Sequence, residues 1–593
     1  MKSILKLAFT VVLAVAACST LANAQTYSVV LDGLGSSAYF LQAGLGANYS
    51  GGGINAPCVW SMNTSTHGVT PVTATDTSTG SSFTDTGNAW VAWTTGGGTG
   101  TCASPASGAK IYAYEQTDSV VGNRCLFNAS LSTPECSIAY PTSNPNPVGL
   151  ILPAGTIVNG SITTANCGGT GECALPVNVA TALNSATVNF AGSDIRPEDA
   201  EFAVARALTP CATAVATGSQ YLGLGYSNGD AINSYTVSGS TFHVINFSLP
   251  SSYNVQIVGA TPVLVAVNGS AFSSVTNISS QTLAYFLDGT YSNVGQITGG
   301  SGGTGSGVTV YLREPLSGTY NTMEYNVPNR VGTAGGSFAT SQDVGLNQLS
   351  TQRNCRATLP SSDSWNPMNI ATTSGARQRA IGTGQEVAAV KANASGTSMG
   401  YAFWSVANFA SLASVSTAKY LQVDGIDPLL NTSTPYSTYG GAFPALGSTE
   451  LGDVDLHTTA NGSYPIWSLL RMISTSSSST VQTAIQNLAL ATDDMVTTAG
   501  RPDFATPSQM QVVRSHFTPP AGVGQPSSSL LANGDSQLND GYSYCSNDEL
   551  GGDVGGVVIG IYDASLTQLP LTQDDSDYCA NTGNYGGQTG SRR

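Results

Sequence analysis

Apolar and polar positions alternate along the chain with two periods, one typical of strands and one typical of helices. Residues 185–190 (SATVNF) alternate singly, as a half-buried strand does, and residues 262–267 (PVLVAV) form a short apolar run typical of a buried strand. In residues 481–490 the apolar positions follow helical spacing, at Val481, Ala484, Ile485 and Leu488. Strands that alternate with helices predict parallel sheets built from βαβ units.

The same two periods predict further elements. Strands are expected over residues 308–312 and 400–404, and helices over residues 200–208, 385–392 and 507–517. A short helix should follow residues 313–319 and end before Pro328, because the residue preceding a proline disfavours the helical conformation. Segments that are poor in charge and rich in Gly, Ser and Thr lie around residues 49–109, 128–184 and 519–593.

Residues 1–24 have the features of a secretory signal peptide. Lys2 and Lys6 precede an apolar stretch, which ends in a small-x-small pattern at Ala22-Asn23-Ala24. Cleavage after Ala24 is favoured; the alternative is a lipoprotein box at residues 15–18, which would leave a lipid anchor on Cys18. No later segment reaches the roughly 18 apolar residues that a membrane-spanning helix needs. The sequence therefore predicts a periplasmic or extracellular protein.

Cysteine usage also fits an exported protein. Of the 11 cysteines, removal of Cys18 leaves an even number, which in an oxidising compartment predicts disulfides. Sequence alone cannot fix the connectivity, but near neighbours suggest Cys58–Cys102, Cys125–Cys136, Cys167–Cys173, Cys211–Cys355 and Cys545–Cys579. A thiolate metal site is the alternative, and it is disfavoured because there is no CxxC pair and the 4 histidines are scattered.

The net charge narrows the choice of partners. The formal charge of −16 becomes −18 when the signal peptide is removed with its lysines. Such an acidic chain argues against binding to nucleic acid or to anionic membranes, since both need a basic surface. Any anionic ligand must therefore be bound by local dipoles and hydrogen-bond donors rather than by overall attraction.

Four predicted strand-to-helix junctions are rich in Gly, Ser and Thr, namely residues 33–37, 117–119, 192–194 and 313–319. In α/β folds, ligands bind at the carboxyl ends of the strands, where helix N-termini point their free N–H groups. Hydroxyls, backbone amides and one guanidinium, that of Arg313, would meet there. This combination predicts a site for an oxyanion.

These junctions resemble the ligand loops of the phosphate-binding component of the bacterial phosphate ABC transporter, a type II periplasmic binding protein. Residues 33–37 are similar to that family's Gly-x-Gly-x-Thr loop, and residues 188–194 to its Val-Asp-Phe-Gly-Ala-Ser-Asp segment. Residues 313–319 match its Arg-x-x-x-Ser-Gly-Thr loop without gaps. Weaker likenesses lie at residues 114–119, where Asp118 replaces a glycine, and at residues 400–404, 464–466 and 504–517.

The resemblance implies a fold and its divisions. The fold would be α/β, with the two lobes of a type II periplasmic binding protein and with β-rich loop insertions. The divisions implied are lobe I over residues 26–261 and 465–519, its insertions at about 49–109 and 128–184, and lobe II over residues 262–464. Residues 520–593 resemble nothing in the family and would form a C-terminal extension stapled by Cys545–Cys579.

Carried over residue by residue, the resemblance implies a set of ligand-binding residues: Ser37, Ser119, Asp194, Arg313, Ser317, Gly318 and Thr319. Arg313 would donate two parallel hydrogen bonds to phosphate oxygens, and residues 317–319 would present the amides of a helix start. Asp194 would accept the proton that phosphate keeps near neutral pH. Sulfate has no such proton, so the same carboxylate would reject it.

Plainer interpretations stand beside these. Asp194 and Ser317 could be helix N-caps only, and Pro315 stands where the family has an acid beside the arginine. Residues 396–400 fit a Gly-x-Ser-x-Gly nucleophile pattern, but a helix precedes them and a strand follows, the reverse of what that pattern needs. The tryptophans of the first insertion would stack on a carbohydrate or, preferably, pack in the core; they are Trp60, Trp90 and Trp93.

The resemblance implies that the protein captures inorganic phosphate by closure of its two lobes. The phosphate would then be taken up through an ABC permease in the inner membrane, and no catalysis, cofactor or metal is implied. One alternative keeps the fold but makes the chain a surface interaction protein with a vestigial or different oxyanion site. Another is a secreted phosphate-ester hydrolase, which the lack of a metal-ligand cluster and of a positioned nucleophile in the sequence disfavours.

Overall fold

The computed structural model describes residues 27–49, 51–62, 73–76, 83–86, 88–128, 137–143, 172–197, 200, 234–237, 240–243, 247, 249–250, 253–287, 291–297, 305–313, 317–324, 326–327, 377–380, 382–393, 396–498, 502–510, 513–514 and 557–558. The strands are β1 (Ser28–Gly35), β2 (Cys58–Met62), β3 (Thr73–Asp76), β4 (Phe83–Thr86), β5 (Ala89–Trp93), β6 (Lys110–Gln116), β7 (Ser137–Ala139), β8 (Phe190–Ser193), β9 (Ser234–Val237), β10 (Ser240–His243), β11 (Asn254–Asn268), β12 (Asn277–Ile278), β13 (Thr309–Arg313), β14 (Arg377–Ala380), β15 (Ser398–Phe403), β16 (Ala418–Val423), β17 (Trp467–Ser474), β18 (Val513–Arg514) and β19 (Val557–Val558).

Within the described residues, helices alternate with the strands from β12 onward, as the hydrophobic pattern predicted, whereas β2 to β6 follow one another without a helix. The helices are α1 (Ser37–Asn48), α2 (Ser119–Phe127), α3 (Val177–Leu183), α4 (Ser280–Leu287), α5 (Gly318–Glu324), α6 (Gly382–Ala392), α7 (Val406–Ala413), α8 (Thr449–Gly452), α9 (His457–Ala460) and α10 (Ser479–Thr498). Short 3-10 helices lie at Ser270–Phe272, Val294–Gln296 and Tyr436–Thr438.

One mixed sheet of 12 strands runs through the molecule, in the order β14-β13-β15-β11-β17-β8-β1-β6-β5-β2, with β16 and β12 attached to β11. We call β8, β1, β6, β5 and β2 the first half of the sheet, and β14, β13, β15, β16 and β12 the second half. β1 is parallel to both β6 and β8, and β13 is parallel to both β14 and β15. The fold is thus α/β with two lobes, each built around one half of the sheet.

The strands β11 and β17 join the two halves. Residues 254–262 of β11 pair antiparallel with β17, and residues 263–268 pair antiparallel with β15. β17 in turn pairs with β8 of the first half. The apolar run at residues 262–267 is therefore the far end of a longer strand, whose first part contains Asn254 and Gln256 and is interrupted at Gly259 by a shift in register.

The helices pack against the sheet through apolar faces, which explains why these residues form them. In α10, Ala484, Ile485 and Leu488 are buried, whereas Leu490 is 56% exposed. The helix lies directly against α1, where a Cβ on Gly46 would come within 2.9 Å of the backbone nitrogen of Thr492. This close approach needs a glycine and brings α1 firmly onto the first half of the sheet.

The helix expected over residues 200–208 lies outside the described residues except at Ala200, and most of the other element predictions are confirmed with small shifts at their ends. Two were wrong. β8 begins only at Phe190. Before it, the Asn189 side chain accepts a hydrogen bond from Asp32 N at 3.0 Å and donates to Val30 O at 2.9 Å, and the Asn189 backbone N–H donates to Asp32 O at 2.8 Å. The helix expected over residues 507–517 is absent from the described part of that segment: residues 507–509 form a turn, and Val513–Arg514 pairs with Val557–Val558.

The first insertion contributes to the sheet. β2 and β5 pair antiparallel with each other, and β5 pairs with β6, so they extend the first half by two strands. The predicted Cys58–Cys102 disulfide is present and ties β2 to the loop after β5. Trp60, Trp90 and Trp93 are fully buried in this region, so the expectation that they pack in the core is confirmed.

Several other predictions fall wholly or partly outside the described residues. Cys125 and Cys173 are each disulfide-bonded, but their suggested partners, Cys136 and Cys167, lie outside the described ranges. The same is true of Cys211, Cys355, Cys545 and Cys579, of the signal peptide with Cys18, and of nearly all of the C-terminal extension. Within the described helices, none is both long and apolar enough to cross a membrane.

Candidate functional site

The strand-to-helix junctions predicted to bind an oxyanion meet where the two halves of the sheet face each other; we call this place the cleft. In the first half, α1 begins at Ser37 and α2 at Ser119, and Asp194 directly follows β8. In the second half, α5 begins at Gly318 and α6 at Gly382. Parallel strands end at the same edge of a sheet, which is why residues so far apart in sequence lie together here.

The loops of the first half are tied to one another by backbone contacts. The Ser36 N–H donates to Gly192 O at 2.8 Å, and the Thr117 N–H donates to Gly35 O at 2.8 Å. Gly35 has a φ of +140°, and a Cβ there would lie 2.0 Å from Gly192 O. Only glycine fits this position, so the first-loop glycine joins β1 to β8 and fixes where α1 begins.

Asp194 and Ser119 form the acidic side of the cleft. The Ser119 hydroxyl donates a short hydrogen bond to Asp194 Oδ1, and the Asp194 N–H donates back to Ser119 Oγ at 3.2 Å. Both side chains are buried. Gly318 of the second half lies against them, since a Cβ on Gly318 would be 1.7 Å from Asp194 Oδ1 and 2.6 Å from Ser119 Oγ. A side chain at position 318 would therefore collide with the carboxylate.

Arg313 supplies the positive charge. Its side chain is 1% exposed, and its Nη2 donates to Asp118 Oδ1 at 2.7 Å. Its Nη1 donates to Thr383 Oγ1 at 2.8 Å and to Thr319 Oγ1 at 3.5 Å. The guanidinium is thus held in place at the end of β13 by groups from both sides of the cleft.

Among the described residues, three contacts at the predicted site join the two halves across the cleft. One is the Arg313–Asp118 ion pair, and the second is the approach of Gly318 to Asp194. The third is a hydrogen bond of 2.9 Å between the hydroxyls of Ser37 and Thr383. All three involve residues at the starts of helices or the ends of strands, so small rotations of one lobe against the other would make or break them together.

Ser317 has a more local role in this structure. Its hydroxyl oxygen accepts a hydrogen bond of 3.2 Å from the Tyr320 N–H, and its carbonyl accepts one of 2.8 Å from the Asn321 side chain. This is the geometry of a helix N-cap, the plainer of the two interpretations offered for Ser317. The structure brings the other predicted residues together: Ser37, Ser119, Asp194, Arg313, Gly318 and Thr319. That they bind phosphate stays a prediction.

Tyr114 packs beneath the loop that begins α1 and holds that loop by a hydrogen bond. Its hydroxyl donates to Ser36 O at 2.9 Å, and its ring packs among Tyr39, Phe40, Trp90 and Phe190. Burial raises the pKa of Tyr114 well above its usual value, and the charges of Tyr39 and Asp194 add to that effect. Tyr114 therefore stays a neutral donor that positions the loop carrying Ser36.

Sequence reasoning missed two features of the site. Thr383 was not considered, although Gly382-Thr383-Gly384 is a fifth Gly- and Thr-containing junction, between β14 and α6. Asp118 was noticed as a departure from the family, but its pairing with Arg313 was not foreseen. The pairing spans 195 positions in sequence.

The serine of the Gly-x-Ser-x-Gly pattern is not exposed. Ser398 of the Gly-x-Ser-x-Gly pattern is buried in β15, and its hydroxyl donates to Val390 O at 2.8 Å. A side chain in this position is not presented to a substrate. Among the described residues, no group of three or more His, Cys, Asp and Glu side chains is arranged to hold a metal ion.

Comparison with known proteins finds similarity at the level of solved structures. No protein-family model matches the chain, and a search of the curated proteins finds no match. A phosphate-binding protein from Stenotrophomonas maltophilia shares 16% identity, with 66% of this chain and 83% of that chain covered and a TM-score of 0.30. An ABC-type phosphate transport receptor from Vibrio cholerae shares 11% identity, covering 42% and 73%, with a TM-score of 0.24. A putative phosphate ABC transporter substrate-binding protein from Clostridium perfringens, solved with bound phosphate, shares 12% identity, covering 43% and 72%, with a TM-score of 0.24. At such values, what this chain binds has to be inferred from its own side chains.

Proposed function

We propose that this protein captures inorganic phosphate in the cleft, as an extracytoplasmic solute-binding protein. The observation that carries the proposal is the convergence of Ser119, Asp194, Arg313 and Thr319 from junctions that are far apart in sequence. They combine a guanidinium, hydroxyls and a carboxylate within one buried site.

The donors of the cleft suit a tetrahedral anion. Arg313 offers N–H groups in a planar fork, which matches two oxygens of a phosphate better than a point charge would. Ser37 and Ser119 stand at the first positions of α1 and α2, and Thr383 stands near the start of α6. A helix N-terminus carries about half a unit of positive charge, so these helices add to the field of Arg313. Donors of this kind compensate for the acidic charge of the whole chain.

Asp194 gives the site its selectivity. A buried carboxylate repels an anion unless the anion donates a proton to it, and phosphate carries such a proton near neutral pH whereas sulfate does not. The Asp194 carboxylate is oriented by Ser119, which leaves it no freedom to turn away without losing that bond. The pair therefore acts as a fixed acceptor, which favours phosphate and disfavours sulfate.

The connection between the lobes suits opening and closing. Only β11 and β17 join the two halves within the described sheet, and the three contacts described across the cleft are made by side chains and by one close approach of a glycine rather than by strand pairing. A rotation about such a connection admits and releases a ligand without unfolding either lobe. No covalent chemistry is needed, so we propose a binding protein rather than an enzyme, with an ABC permease as its partner.

Titration calorimetry tests the proposal directly. The secreted protein, stripped of bound phosphate, is titrated separately with phosphate, sulfate and methylphosphonate. We expect one phosphate per chain and no measurable heat with sulfate. Equal binding of phosphate and sulfate would contradict the role of Asp194, and binding of neither would contradict the proposed function. Turnover of a chromogenic phosphate ester would instead favour the hydrolase alternative.

A further inference from the structure

Asn123 lies in α2, one turn after Ser119, and its side chain is fully buried. Its side-chain amide offers two hydrogens and makes two hydrogen bonds. One is donated to Ser119 O at 2.8 Å and the other to Ser193 Oγ at 3.0 Å. Asn123 therefore ties the start of α2, which carries the Ser119 hydroxyl, to the last residue of β8, which directly precedes Asp194.

The Ser193 hydroxyl extends this tie to the backbone beyond Asp194. It accepts a hydrogen bond from Asn123 and one of 3.2 Å from the Ile195 N–H, and it donates to Ile195 O at 2.6 Å. A hydroxyl has one hydrogen and two lone pairs, so its bonding capacity is filled. The residues on both sides of Asp194 are thus joined through one oxygen, which Asn123 in turn holds.

Gly122 fixes the same helix on the neighbouring strand. A Cβ at Gly122 would lie 2.7 Å from Leu34 O and 2.8 Å from Gly35 Cα, so α2 packs against the end of β1 at a distance that needs a glycine. The helix is held on β1 by Gly122 and on β8 by the adjacent Asn123. Together, these two points limit how far the Ser119 hydroxyl can move relative to the Asp194 carboxylate.

Asp194 has other neighbours as well. The Ser468 hydroxyl donates to Asp194 O. Arg196 follows two residues later, and Arg471 pairs with Ser193 between β17 and β8; both arginines are buried. Asn123 is uncharged and makes its hydrogen bonds to Ser119 and Ser193, so changing it leaves these groups and their charges in the site. The expected effect is a loosened carboxylate and not the loss of the site.

A buried asparagine can also serve only to hold a helix in place. Asn48 is such a residue, since it is buried at the end of α1 opposite to the cleft and donates to Ala56 O at 2.7 Å. Asn123 differs in what it bonds. Its two acceptors belong to Ser119 itself and to the residue before Asp194, so its loss would alter the pair that is proposed to accept the proton of the ligand.

We propose that Asn123 is a positioning residue of the cleft, which holds the Ser119 hydroxyl against the Asp194 carboxylate and so sets the preference for a protonated tetrahedral anion over an unprotonated one. This role rests on the proposed function, because it concerns the selectivity of the same site. Asn123 acts through Ser119 and Ser193. Without its two hydrogen bonds, the carboxylate can turn from the ligand, which weakens both the acceptance of a proton from phosphate and the repulsion of sulfate.

The test measures the affinities for phosphate and sulfate in the wild-type chain and in Asn123→Leu, which has a similar branched shape but no donor. Equilibrium dialysis with labelled phosphate gives the first affinity, and displacement of that phosphate by sulfate at constant ionic strength gives the second. We expect phosphate affinity to fall about tenfold while sulfate affinity stays or rises, so that their ratio falls by at least about tenfold. A side chain with only a structural role would lower the stability of the chain and leave the ratio unchanged.

Three further variants complete the experiment. Ser193→Ala should lower the ratio by a similar factor, and the double variant should lower it no further than the larger single change, because both changes break the same hydrogen bond. Asn48→Leu is the matched control in α1 and should keep the wild-type ratio. If Asn123→Leu fails to fold by circular dichroism, Asn123→Ala takes its place with the same expectation.

The outcomes separate this role from the proposed function. If the wild type prefers phosphate but the Asn123 and Ser193 variants keep its ratio, or if the single effects multiply in the double variant, the role assigned to Asn123 is wrong and the proposed function stands. If the wild type binds no phosphate, or binds both anions alike, the proposed function itself is wrong.

Discussion

The two sides of the cleft differ in the chemistry that they bring. The first half of the sheet contributes both carboxylates, Asp118 and Asp194, together with the hydroxyl of Ser119. The second half contributes the guanidinium of Arg313 and the hydroxyls of Thr319 and Thr383. The carboxylates thus lie on one side and the guanidinium on the other, while both sides contribute hydroxyls. A protonated anion needs both, so neither lobe forms the site alone.

This division explains why the lobes approach each other at these residues. The Arg313–Asp118 pair links a positive side to a negative side, and the Ser37–Thr383 hydroxyl pair adds a neutral contact. In the proposed function, phosphate would join the same two sides through the same groups. Variants that remove the donor side, the acceptor side or the fit between them should therefore have separable effects.

The largest effect should come from the donor side. Arg313→Ala removes the guanidinium that contacts Asp118 and Thr383, and we expect phosphate affinity to fall by at least about a thousandfold, because charge-assisted hydrogen bonds are lost in pairs. Calorimetry measures the loss, and circular dichroism checks the fold. Lys419→Ala, which removes a half-buried charge at the far end of the same half, is the matched control and should bind phosphate normally. Unchanged affinity in Arg313→Ala would remove the guanidinium from the site.

The second largest effect concerns Asp32 and the pH dependence of the free energy of unfolding. Asp32 lies in the core beneath the cleft, and burial raises its pKa to about 7, against a smaller lowering by the Tyr140 hydrogen bond. The folded state then holds a proton that the unfolded chain releases near pH 4. Stability from this residue is full below its ordinary pKa of 3.8 and is lost as the pH rises toward 7.

Asp32→Asn should abolish that loss. Urea unfolding at about pH 4 and about pH 7 should show the variant gaining about 3 kcal/mol on the wild type over the interval. Glu450→Gln, which removes a carboxylate from the first turn of α8, serves as the control, and we expect it to follow the wild type. A wild-type chain whose free energy of unfolding changes with pH just as the Asp32→Asn chain does would show that Asp32 is ionised in the fold.

The fit between the two sides is tested at Gly318. Gly318→Ala places a methyl group within 1.7 Å of Asp194 Oδ1, so the lobes cannot approach as closely, and we expect about a hundredfold loss of phosphate affinity. Gly384→Ala is the matched control, because a Cβ there meets nothing within 4 Å. Equal affinities in the two variants would mean that the Gly318–Asp194 contact is not used in the bound state.

The smallest effect should be a change of preference on the acceptor side. Asp194→Asn keeps the shape of the side chain but offers an N–H donor, so sulfate affinity should rise by about tenfold while phosphate affinity falls by a similar factor. Parallel calorimetric titrations with the two anions measure the ratio. If the ratio does not change, selectivity for phosphate has another source.

How much of this could be predicted from the sequence depended on the range of the interactions. The run at residues 262–267 predicted a buried strand because its neighbours in sequence are all apolar, yet the same strand extends back to Asn254 through polar residues. Residues 507–517 have helical spacing, but the Thr506 hydroxyl and amide engage the Gln509 side chain in a single turn. Pairing of Val513–Arg514 with Val557–Val558 then prevails over local preference.

In the cleft, too, short-range features could be predicted from the sequence and long-range contacts could not. The junctions were predictable because glycine and hydroxyl residues cluster at strand ends, and topology brought them together. The partner of Arg313 was not, since Asp118 is 195 positions away and looks like an ordinary N-cap. Thr383 could have been found from the same Gly- and Thr-rich signal as the other junctions; only its contacts with Arg313 and Ser37 are long-range.

A crystal structure of the chain grown with phosphate tests the two-sided cleft most directly. We expect one tetrahedral anion between the lobes, with an oxygen within hydrogen-bond distance of the Asp194 carboxylate and others bonded to Arg313, Ser119 and Thr319. An anion bound elsewhere, or a cleft whose Asp194 and Arg313 lie too far apart to contact the same ligand, would contradict it.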